Sequence, residues 1–321
     1  MERMKRILPI LLSVGLLGAV IYFSDARSVA SALRSADMRF VAAGLTLWAV
    51  GVALRIERWN ALLKHVRIVL PFRDVATTFL AGFYLSNITP GKAGDPIRAV
   101  MLKRTQGVSF SQALPSIIIE RMADLLAMMS IASVGILFLP PVIPKRYVYG
   151  IVAVFATILF VIVLAVSSQR RAQTFLRIVH RVFSFVPKIR SLESRIGSSS
   201  VKITESFASY RSPRVLAKTF AITAVLWFLE GGIGVLAFKA IGVDVPYLWV
   251  LTMVPIATLA GVLSLLPGGI GSSELVGVVF FVTVLGITPA QATAAALLAR
   301  LMSYWMYVLA GSLSMGVMKR I

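Results

Sequence analysis

The chain has 321 residues, of which 58% are hydrophobic and 14% charged, and its mean hydropathy is +0.87. This composition excludes an ordinary soluble domain and predicts a membrane protein whose apolar runs, about 20 residues each, cross the bilayer as helices. A net charge of +20 would suggest nucleic-acid binding in a soluble protein, but here the basic residues lie between apolar runs and favour contact with anionic lipid at the cytoplasmic leaflet.

The apolar runs predict an all-α membrane protein with one integral membrane domain, residues 1–321, that contains six full transmembrane helices and two re-entrant helical hairpins. In chain order, the predicted elements are crossings at 7–24 and 39–63, a hairpin at 74–104, crossings at 111–139 and 146–166, a basic cytoplasmic loop at 167–213, a crossing at 214–241, a second hairpin at 246–285 and a last crossing at 289–318. The basic start followed by an apolar run resembles a signal peptide, but we expect an uncleaved first helix.

A segment near residue 90 recurs near residue 267. Pro90–Asp95 reads PGKAGD, and Pro267–Ser272 reads PGGIGS. Further along the chain, the segment Gly107–Ala113 matches the segment Gly286–Ala292, so the similarity extends well beyond the glycines. In a membrane protein, Gly/Pro-broken hydrophobic segments at corresponding places of two halves indicate a transporter site between them.

These matches define two predicted repeats, residues 74–139 and 246–318, each a broken hairpin followed by a long helix. Arg121 in the first repeat corresponds to Arg300 in the second. The basic residues before the first crossing and after the last place both termini in the cytoplasm. The first hairpin then enters from the cytoplasm and the second from outside, so the repeats are predicted to be inverted, an arrangement that supports alternating access. If 246–266 spans fully instead, this parity survives but its loop moves to the cytoplasmic surface.

The basic loop contains an amphipathic segment, Phe175–Phe183, whose apolar and basic residues suit a helix at a membrane surface. Two interpretations stay open for it. It is either a helix that lies on an anionic leaflet or a solvated loop that only fixes the topology.

Nine charged residues stand at bilayer depth or beside the two glycine-rich breaks, where an ionisable group costs at least ~2.5–3.5 kcal/mol unless it faces a partner or a water-filled cavity. The candidate substrate-binding residues are Lys92, Asp95, Arg98, Glu120, Arg121, Asp124, Glu230, Glu274 and Arg300. The basic members are expected to receive a lipid phosphate, because such cations and helix starts after glycine-rich turns bind anions. Four of the acids are expected to contact a cationic headgroup or to carry a coupling proton: Glu120, Asp124, Glu230 and Glu274.

Structural roles stay open for several of these residues. Arg121 could pair with an acid of its own helix, and Arg300 could tie its helix to Glu274 or Glu230. Glu230 could be a proton carrier or a packing acid. Three charges near the cytoplasmic end of the second crossing are expected to snorkel or to pair locally: Arg55, Glu57 and Arg58.

The chain has no cysteine and two histidines, and it contains no nucleotide-binding loop, no His-Glu-x-x-His and no Gly-x-Ser-x-Gly motif. We therefore expect no metal, no cofactor and no enzymatic activity. Two acids in the first outer loop, Asp25 and Asp37, are the enzyme-like hint, since a membrane glycosyltransferase that uses a lipid-linked sugar often keeps an acid there. Both are interpreted as ordinary surface charges.

Several motifs together carry a resemblance that covers nearly the whole chain. They are Arg58-Trp59, Asn87-x-x-Pro90-Gly91-x-x-Gly94-Asp95-x-x-Arg98, Glu120-Arg121-x-x-Asp124, Pro267-Gly268-Gly269-Ile270-Gly271-x-x-Glu274 and Arg300. In these motifs the chain resembles the lysylphosphatidylglycerol synthase transmembrane-domain family, also called the flippase-like domain family. In the multiple peptide resistance factors of that family, such a domain moves aminoacylated phosphatidylglycerol to the outer leaflet, and a cytoplasmic synthase domain follows it.

The resemblance implies lipid translocation without synthesis; because other relatives are linked to polyprenyl-phosphate sugars or hopanoids, it does not fix the lipid. We therefore expect a translocase of the cell inner membrane that moves a phospholipid, aminoacylated or not, or a related lipid. Two alternatives stay open, a polyprenyl-phosphate-sugar glycosyltransferase or its accessory, and a regulatory partner of a lipid synthase. The expected partners are the phospholipid substrate, anionic lipid at the cytoplasmic leaflet and a separate lipid-modifying enzyme, with no nucleic acid.

Overall fold

The structure is a computed structural model that describes residues 2–89, 91–92, 94–138, 146, 149–150, 153, 157, 210 and 212–318. These residues form helices and connecting turns, with no β-strand among them, which confirms the predicted all-α class. The longer helices are α1 (Glu2–Phe23), α2 (Ala26–Arg34), α3 (Met38–His65), α4 (Phe72–Ile88), α5 (Ile97–Gln106), α6 (Phe110–Leu137), α7 (Pro213–Ala240), α8 (Tyr247–Leu263), α9 (Ser272–Leu285), α10 (Pro289–Arg300) and α11 (Met306–Met318). A π-helical segment, Leu301–Trp305, joins α10 to α11.

Three helical stretches of the described chain are long and apolar enough to cross a membrane. They are α3, α7 and the continuous stretch Pro289–Met318, and α1 with α2 would make a fourth, although that pair is bent by 86°. Helix α6 is as long as α3, but every stretch of 18 residues within it contains Glu120, Arg121 and Asp124. The predicted count of six crossings therefore stays a prediction.

Two predicted elements lie almost entirely outside the described residues. They are the fourth crossing at 146–166 and the basic loop at 167–213, and the amphipathic segment 175–183 falls with the loop. The connection between the first two predicted crossings, which was predicted to be an outer loop, is by contrast largely helical, since α2 occupies Ala26–Arg34.

Both predicted hairpins are helix–break–helix units. The first consists of α4 and α5 and the second of α8 and α9, and in each unit the two helices pack against each other. At 1.5 Å per residue, α5 is about 15 Å long and α9 about 21 Å, both shorter than the roughly 30 Å of a hydrocarbon core.

The two breaks share a backbone geometry. Gly91 and Lys92 have φ values of +58° and +57°, and Gly268 and Gly269 have +62° and +63°. Each break therefore turns through two consecutive left-handed residues, at places that correspond in the sequence match. Lys92 is the member of these four that has a side chain, although the left-handed conformation costs an L residue roughly 1–2 kcal/mol.

Each hairpin packs against a helix of the other predicted repeat. Helix α4 lies along α11, and α8 packs against both α6 and α7. The close approach of α4 to α11 requires a glycine at Gly311, because a Cβ atom there would overlap Tyr84 and the carbonyl oxygen of Leu80. This interleaving brings the two breaks together at one cavity.

Candidate functional site

Glu120 and Asp124 of α6 are bound by one guanidinium from another helix. Arg58 of α3 donates from Nε and Nη2 to Glu120 Oε1, at 3.2 and 3.1 Å, and from Nη1 to Asp124 Oδ1 at 2.7 Å. Arg58 Nη1 also donates to the hydroxyl of Thr223 at 2.6 Å. Because the two acids are four residues apart, both face the same way. Arg58, with 2% of its side chain exposed, thus joins α3, α6 and α7.

Arg98 of α5 contacts the other oxygen of Glu120. Its Nη1 lies 2.7 Å from Glu120 Oε2, and neither side chain is more than 1% exposed. The guanidinium also lies over the rings of Trp59 and Phe79, 4.9 and 5.1 Å from their centroids, which is a cation–π geometry. Within the described part of the chain, the Arg98 guanidinium makes no well-aligned hydrogen bond. Charge attraction and aromatic packing therefore hold it.

Arg121 ties α6 to the first break. Its Nε lies 2.8 Å from Asp95 Oδ2, just before the start of α5, and its Nη1 lies 3.4 Å from Asp124 Oδ2. The ring of Phe83 lies 5.9 Å from the Arg121 guanidinium carbon. The expected alternative for Arg121, an ion pair with an acid of its own helix, is therefore present, and a second pair with Asp95 accompanies it.

Arg300 ties the end of α10 to the second break. It donates from Nη1 to the carbonyl oxygen of Gly268 at 3.0 Å and from Nη2 to that of Gly269 at 3.2 Å. It also donates to the hydroxyl of Ser273, and its Nε lies 2.6 Å from Glu274 Oε1. The other oxygen of Glu274 accepts the backbone N–H at the start of α9, at 2.8 Å. Of the two structural ties that were left open for Arg300, the one to Glu274 is therefore present.

Glu230 of α7 is paired with Arg55 of α3. Arg55 Nη2 lies 2.7 Å from Glu230 Oε1, and Arg55 Nε donates to the hydroxyl of Tyr307 on α11 at 2.9 Å. The Glu230 side chain is still 19% exposed, so one side of the carboxylate faces the cavity. This contact joins three helices near the cavity.

Lys92, at the first break, differs from the other basic candidates because no carboxylate of the described residues lies within ion-pair distance of it. Its ammonium lies 5.9 Å from the centroid of the Phe83 ring, and the residue is half-buried. Lys92 thus brings to the cavity a positive charge that has no direct ion pair among the described residues, although Asp95 and Asp124 attract it from a greater distance.

A cavity of about 230 Å³ lies where the two breaks meet. Gly91 and Lys92 line it from the first break, and Gly268 and Gly269 line it from the second. Tyr304 of the π-helical segment also lines it, with its hydroxyl 3.5 Å from the carbonyl oxygen of Asn87. The charged groups on its wall are Lys92, Glu230, Glu274 and Arg300. The rest of the lining is largely apolar, from α7, α8, α9 and α10.

The structure divides the nine candidates into two groups. Four of them line the cavity: Lys92, Glu230, Glu274 and Arg300. The other five form the ion-pair network beside it: Asp95, Arg98, Glu120, Arg121 and Asp124. Arg98, expected to receive phosphate, is 0% exposed and does not reach the cavity in this conformation.

The local role expected for Arg55 and Arg58 is wrong. Both pair across helices, Arg55 with Glu230 and Arg58 with the two acids of α6, while Glu57 accepts a local hydrogen bond from Asn60 at 3.2 Å. The reason is that α3 packs along α7 and beside α6, which turns one face of its C-terminal half inward. The signal available in the sequence was that α6 carries two acids, Glu120 and Asp124, but only one cation, Arg121.

Asp25 and Asp37 are helix caps. Asp25 accepts from the backbone N–H of Arg27 at 3.3 Å and from the hydroxyl of Ser28 at 2.6 Å, at the start of α2. Asp37 accepts from the backbone and guanidinium of Arg39 at the start of α3. The hydrogen bond from the Arg39 side chain lowers the pKa of the Asp37 carboxyl. These contacts give both acids a structural role as helix caps.

The fold and the site together define an α-helical membrane protein in which two broken hairpins meet at a charged cavity. The chain belongs to the family described as the lysylphosphatidylglycerol synthase TM region, whose model matches residues 6–311. The family that the motifs indicated is therefore confirmed.

Relatives of this chain include archaeal membrane proteins and one named glycosyltransferase. A UPF0104 membrane protein of Pyrococcus horikoshii is 25% identical over 97% of this chain and 96% of its own length. One from Methanothermobacter thermautotrophicus is 28% identical over 92% of this chain and 90% of its own. Glycosyltransferase AglD of Haloferax volcanii is 26% identical over 92% of this chain but only 52% of its own length. The similarity to AglD thus leaves nearly half of that protein unmatched.

Proposed function

We propose that the protein is a lipid translocase that passes the polar headgroup of a phospholipid or related lipid across the cell inner membrane through the cavity between the two breaks. The observation that carries this proposal is that both breaks line one cavity, with charged groups on its wall. Family membership supports a function in lipid metabolism or transport.

The hairpins are proposed to be re-entrant and to enter from opposite sides of the membrane, with both termini in the cytoplasm. The lengths of α5 and α9 support this arrangement, because neither helix could cross roughly 30 Å of hydrocarbon alone. Residues 74–139 and 246–318 would then form inverted repeats, the arrangement by which transporters expose one site alternately to the two sides.

The size of the cavity limits what enters it. A cavity of about 230 Å³ is far smaller than a whole diacyl lipid, so only the polar headgroup is proposed to enter it. The chains would stay in the bilayer while the headgroup crosses. Since no nucleotide-binding loop occurs in the chain, transport would be downhill or coupled to an ion.

The similarity to AglD supports a second candidate, an accessory role in the use of a lipid-linked sugar. A glycosyltransferase activity of the chain itself has less support, because Asp25 and Asp37, its candidate acids, both cap helices. A regulatory partner of a lipid synthase stays a third candidate.

The proposal is tested by lipid translocation in proteoliposomes that contain the purified full chain. Headgroup-labelled phospholipids are incorporated in both leaflets, and the outer label is quenched from outside, with and without a proton gradient. Loss of the inner pool in protein-containing vesicles, and not in protein-free vesicles, is the expected result. Retention of the inner pool for every lipid and gradient would contradict the proposal and favour the accessory role.

A further inference from the structure

We infer that the cavity selects a lipid whose headgroup carries one negative charge and no cationic group, namely a lipid phosphodiester. This inference rests on the proposed function and names the substrate class of the same site. It follows from three observations. Among the described residues, the buried charges include one more cation than acids, the backbone of Lys92 is left-handed, and every acid that a cationic headgroup could bind is already paired.

Thirteen charged side chains of the described residues are buried or half-buried. Two of them, Asp37 and Asp74, lie at the starts of α3 and α4 and bind Arg39 and Gln106, away from the breaks. The other eleven lie inside the helical bundle. The six cations are Arg55, Arg58, Lys92, Arg98, Arg121 and Arg300, and the five acids are Asp95, Glu120, Asp124, Glu230 and Glu274. Six positive and five negative groups leave one unbalanced positive charge. Such a charge is costly at this depth unless a partner or water receives it.

Every acid of this set already has an arginine partner. Glu230 lies 2.7 Å from Arg55, and Glu274 lies 2.6 Å from Arg300. The acids of the network are likewise taken up by Arg58, Arg98 and Arg121. A cationic headgroup, such as an aminoacyl group, would therefore have to share a carboxylate with a guanidinium, and this holds also for the exposed side of Glu230, whose charge is already paired with Arg55. The expectation that these acids receive a cationic headgroup is not supported by this arrangement.

The unbalanced cation is Lys92, which also has a side chain where the corresponding position of the second break has glycine. Lys92 adopts φ +57° and Gly269 adopts φ +63°, so the same turn forms without a side chain in the second break. A lysine at this position costs conformational energy that a glycine would avoid. The cost is understandable if the ammonium itself has a task, and its position on the cavity wall gives it access to an anion.

The arginines are poorer receptors for that anion. Arg300 faces the cavity, but its donors are already in use. They bind two backbone carbonyl oxygens, and in addition the hydroxyl of Ser273 and the carboxylate of Glu274. One ammonium without an acid matches one phosphodiester charge, whereas a phosphate monoester would bring a second charge without a counterpart. The shared chemistry is a phosphodiester on an apolar chain, and both diacyl lipids and single-chain polyprenyl phosphodiesters carry it.

The test measures lipid binding to the detergent-purified full chain by native mass spectrometry, without any transport step. The probes are phosphatidylglycerol, a polyprenyl-phosphate monosaccharide, zwitterionic phosphatidylethanolamine and cationic lysyl-phosphatidylglycerol. Lys92→Asn removes the charge with a residue that tolerates left-handed backbone, Lys92→Arg keeps the charge, and Lys92→Glu reverses it. Lys103→Gln, at an exposed lysine of the same hairpin, is the matched control.

The expected result is that the wild type and Lys103→Gln prefer the monoanionic lipids. Lys92→Asn is expected to lose roughly tenfold or more in that preference, as for a close charge pair. Lys92→Arg should restore the preference, and Lys92→Glu should shift it towards lysyl-phosphatidylglycerol. Preference for either monoanionic probe supports the inference and identifies its source. Equal binding of lysyl-phosphatidylglycerol to the wild type, or unchanged selectivity in Lys92→Asn, would overturn it.

The inference and the proposed function fail in distinguishable ways. Binding that depends on Lys92, without movement of any lipid in proteoliposomes, would leave the site in place and refute the translocase. Translocation that ignores headgroup charge would support the translocase and refute the charge selectivity.

Discussion

Arg121 and Arg300 stand at matching places of the two predicted repeats, and each binds a carboxylate beside the helix that restarts after a hairpin break. Arg121 Nε lies 2.8 Å from Asp95 Oδ2, and Arg300 Nε lies 2.6 Å from Glu274 Oε1. Each hairpin is therefore fastened at its break to the long helix that follows it. Ion pairs of this kind can hold one side of a cavity closed while the other side is open, as in transporters with broken helices.

The first prediction concerns these two fastenings. Arg121→Ala and Arg300→Ala should each lower the free energy of unfolding by about 1–3 kcal/mol, less than the full cost of breaking a buried pair because both side chains are partly exposed. Thermal unfolding in detergent measures the change. Arg39→Ala, which breaks the exposed pair with Asp37, is the control and should change little. Equal unfolding temperatures for all three variants would contradict the fastening role.

The second prediction concerns Arg58, which is buried and joins three helices. Arg58→Ala should destabilise the protein by about 3–5 kcal/mol, because it leaves Glu120 and Asp124 buried without one of their cations. Neutralising the acids in the same protein, with Glu120→Gln and Asp124→Asn, should recover part of the loss. Chemical or thermal unfolding measures this in four proteins: the wild type, the Arg58→Ala variant, the variant with both acids neutralised, and the variant that combines all three substitutions. Absence of any recovery would mean that Arg58 acts mainly through packing.

Part of this site could be predicted from local sequence, because some of its relations are set by spacing. Glu120 and Asp124 are four residues apart on a helix, which predicts a shared face, and both indeed bind one guanidinium. The Pro-Gly segments likewise mark the chain breaks, because few other residues adopt the left-handed turns found there.

The remainder depends on tertiary packing. Arg58 lies 62 residues from Glu120 along the chain, so its partner becomes evident only when α3 packs beside α6. Lys92 shows the converse. Asp95, three residues away, was available as a local partner, but Arg121 of another helix binds it, and among the described residues the lysine has no acid within ion-pair distance. Sequence spacing cannot decide between such competing partners.

The third prediction tests the inverted arrangement of the hairpins. The chain has no native cysteine, so single cysteines can be introduced without a background. Thr105→Cys, exposed near the end of α5, should react with a membrane-impermeant thiol reagent only from the cytoplasmic side. Asp244→Cys, exposed before α8, should react only from the outside. Labelling of both positions from the same side would contradict the inverted entry.

The fourth prediction concerns the enzyme alternative. Asp25→Asn and Asp37→Asn should leave both the fold and lipid translocation unchanged, because asparagine caps a helix about as well as aspartate. The pair Asp37–Arg39 also implies a pH effect. Since the pKa of Asp37 is lowered in the fold, its contribution to stability is present above the ordinary carboxyl pKa and is lost as the pH falls through the lowered value. Loss of activity in either asparagine variant, with an unchanged unfolding temperature, would favour a chemical role.

The central claim is that a lipid headgroup passes through the cavity between the breaks, and a side chain that fills this cavity tests it most directly. Gly277 of α9 lines the cavity with no atom within 4 Å of an added Cβ, so Gly277→Phe is the substitution chosen to fill the space. Gly316→Phe, on an exposed face of α11 with equal room, is the control. In the proteoliposome assay, we predict that Gly277→Phe falls to the rate of protein-free vesicles while Gly316→Phe keeps the wild-type rate. Wild-type translocation by a folded Gly277→Phe protein would contradict passage through this cavity.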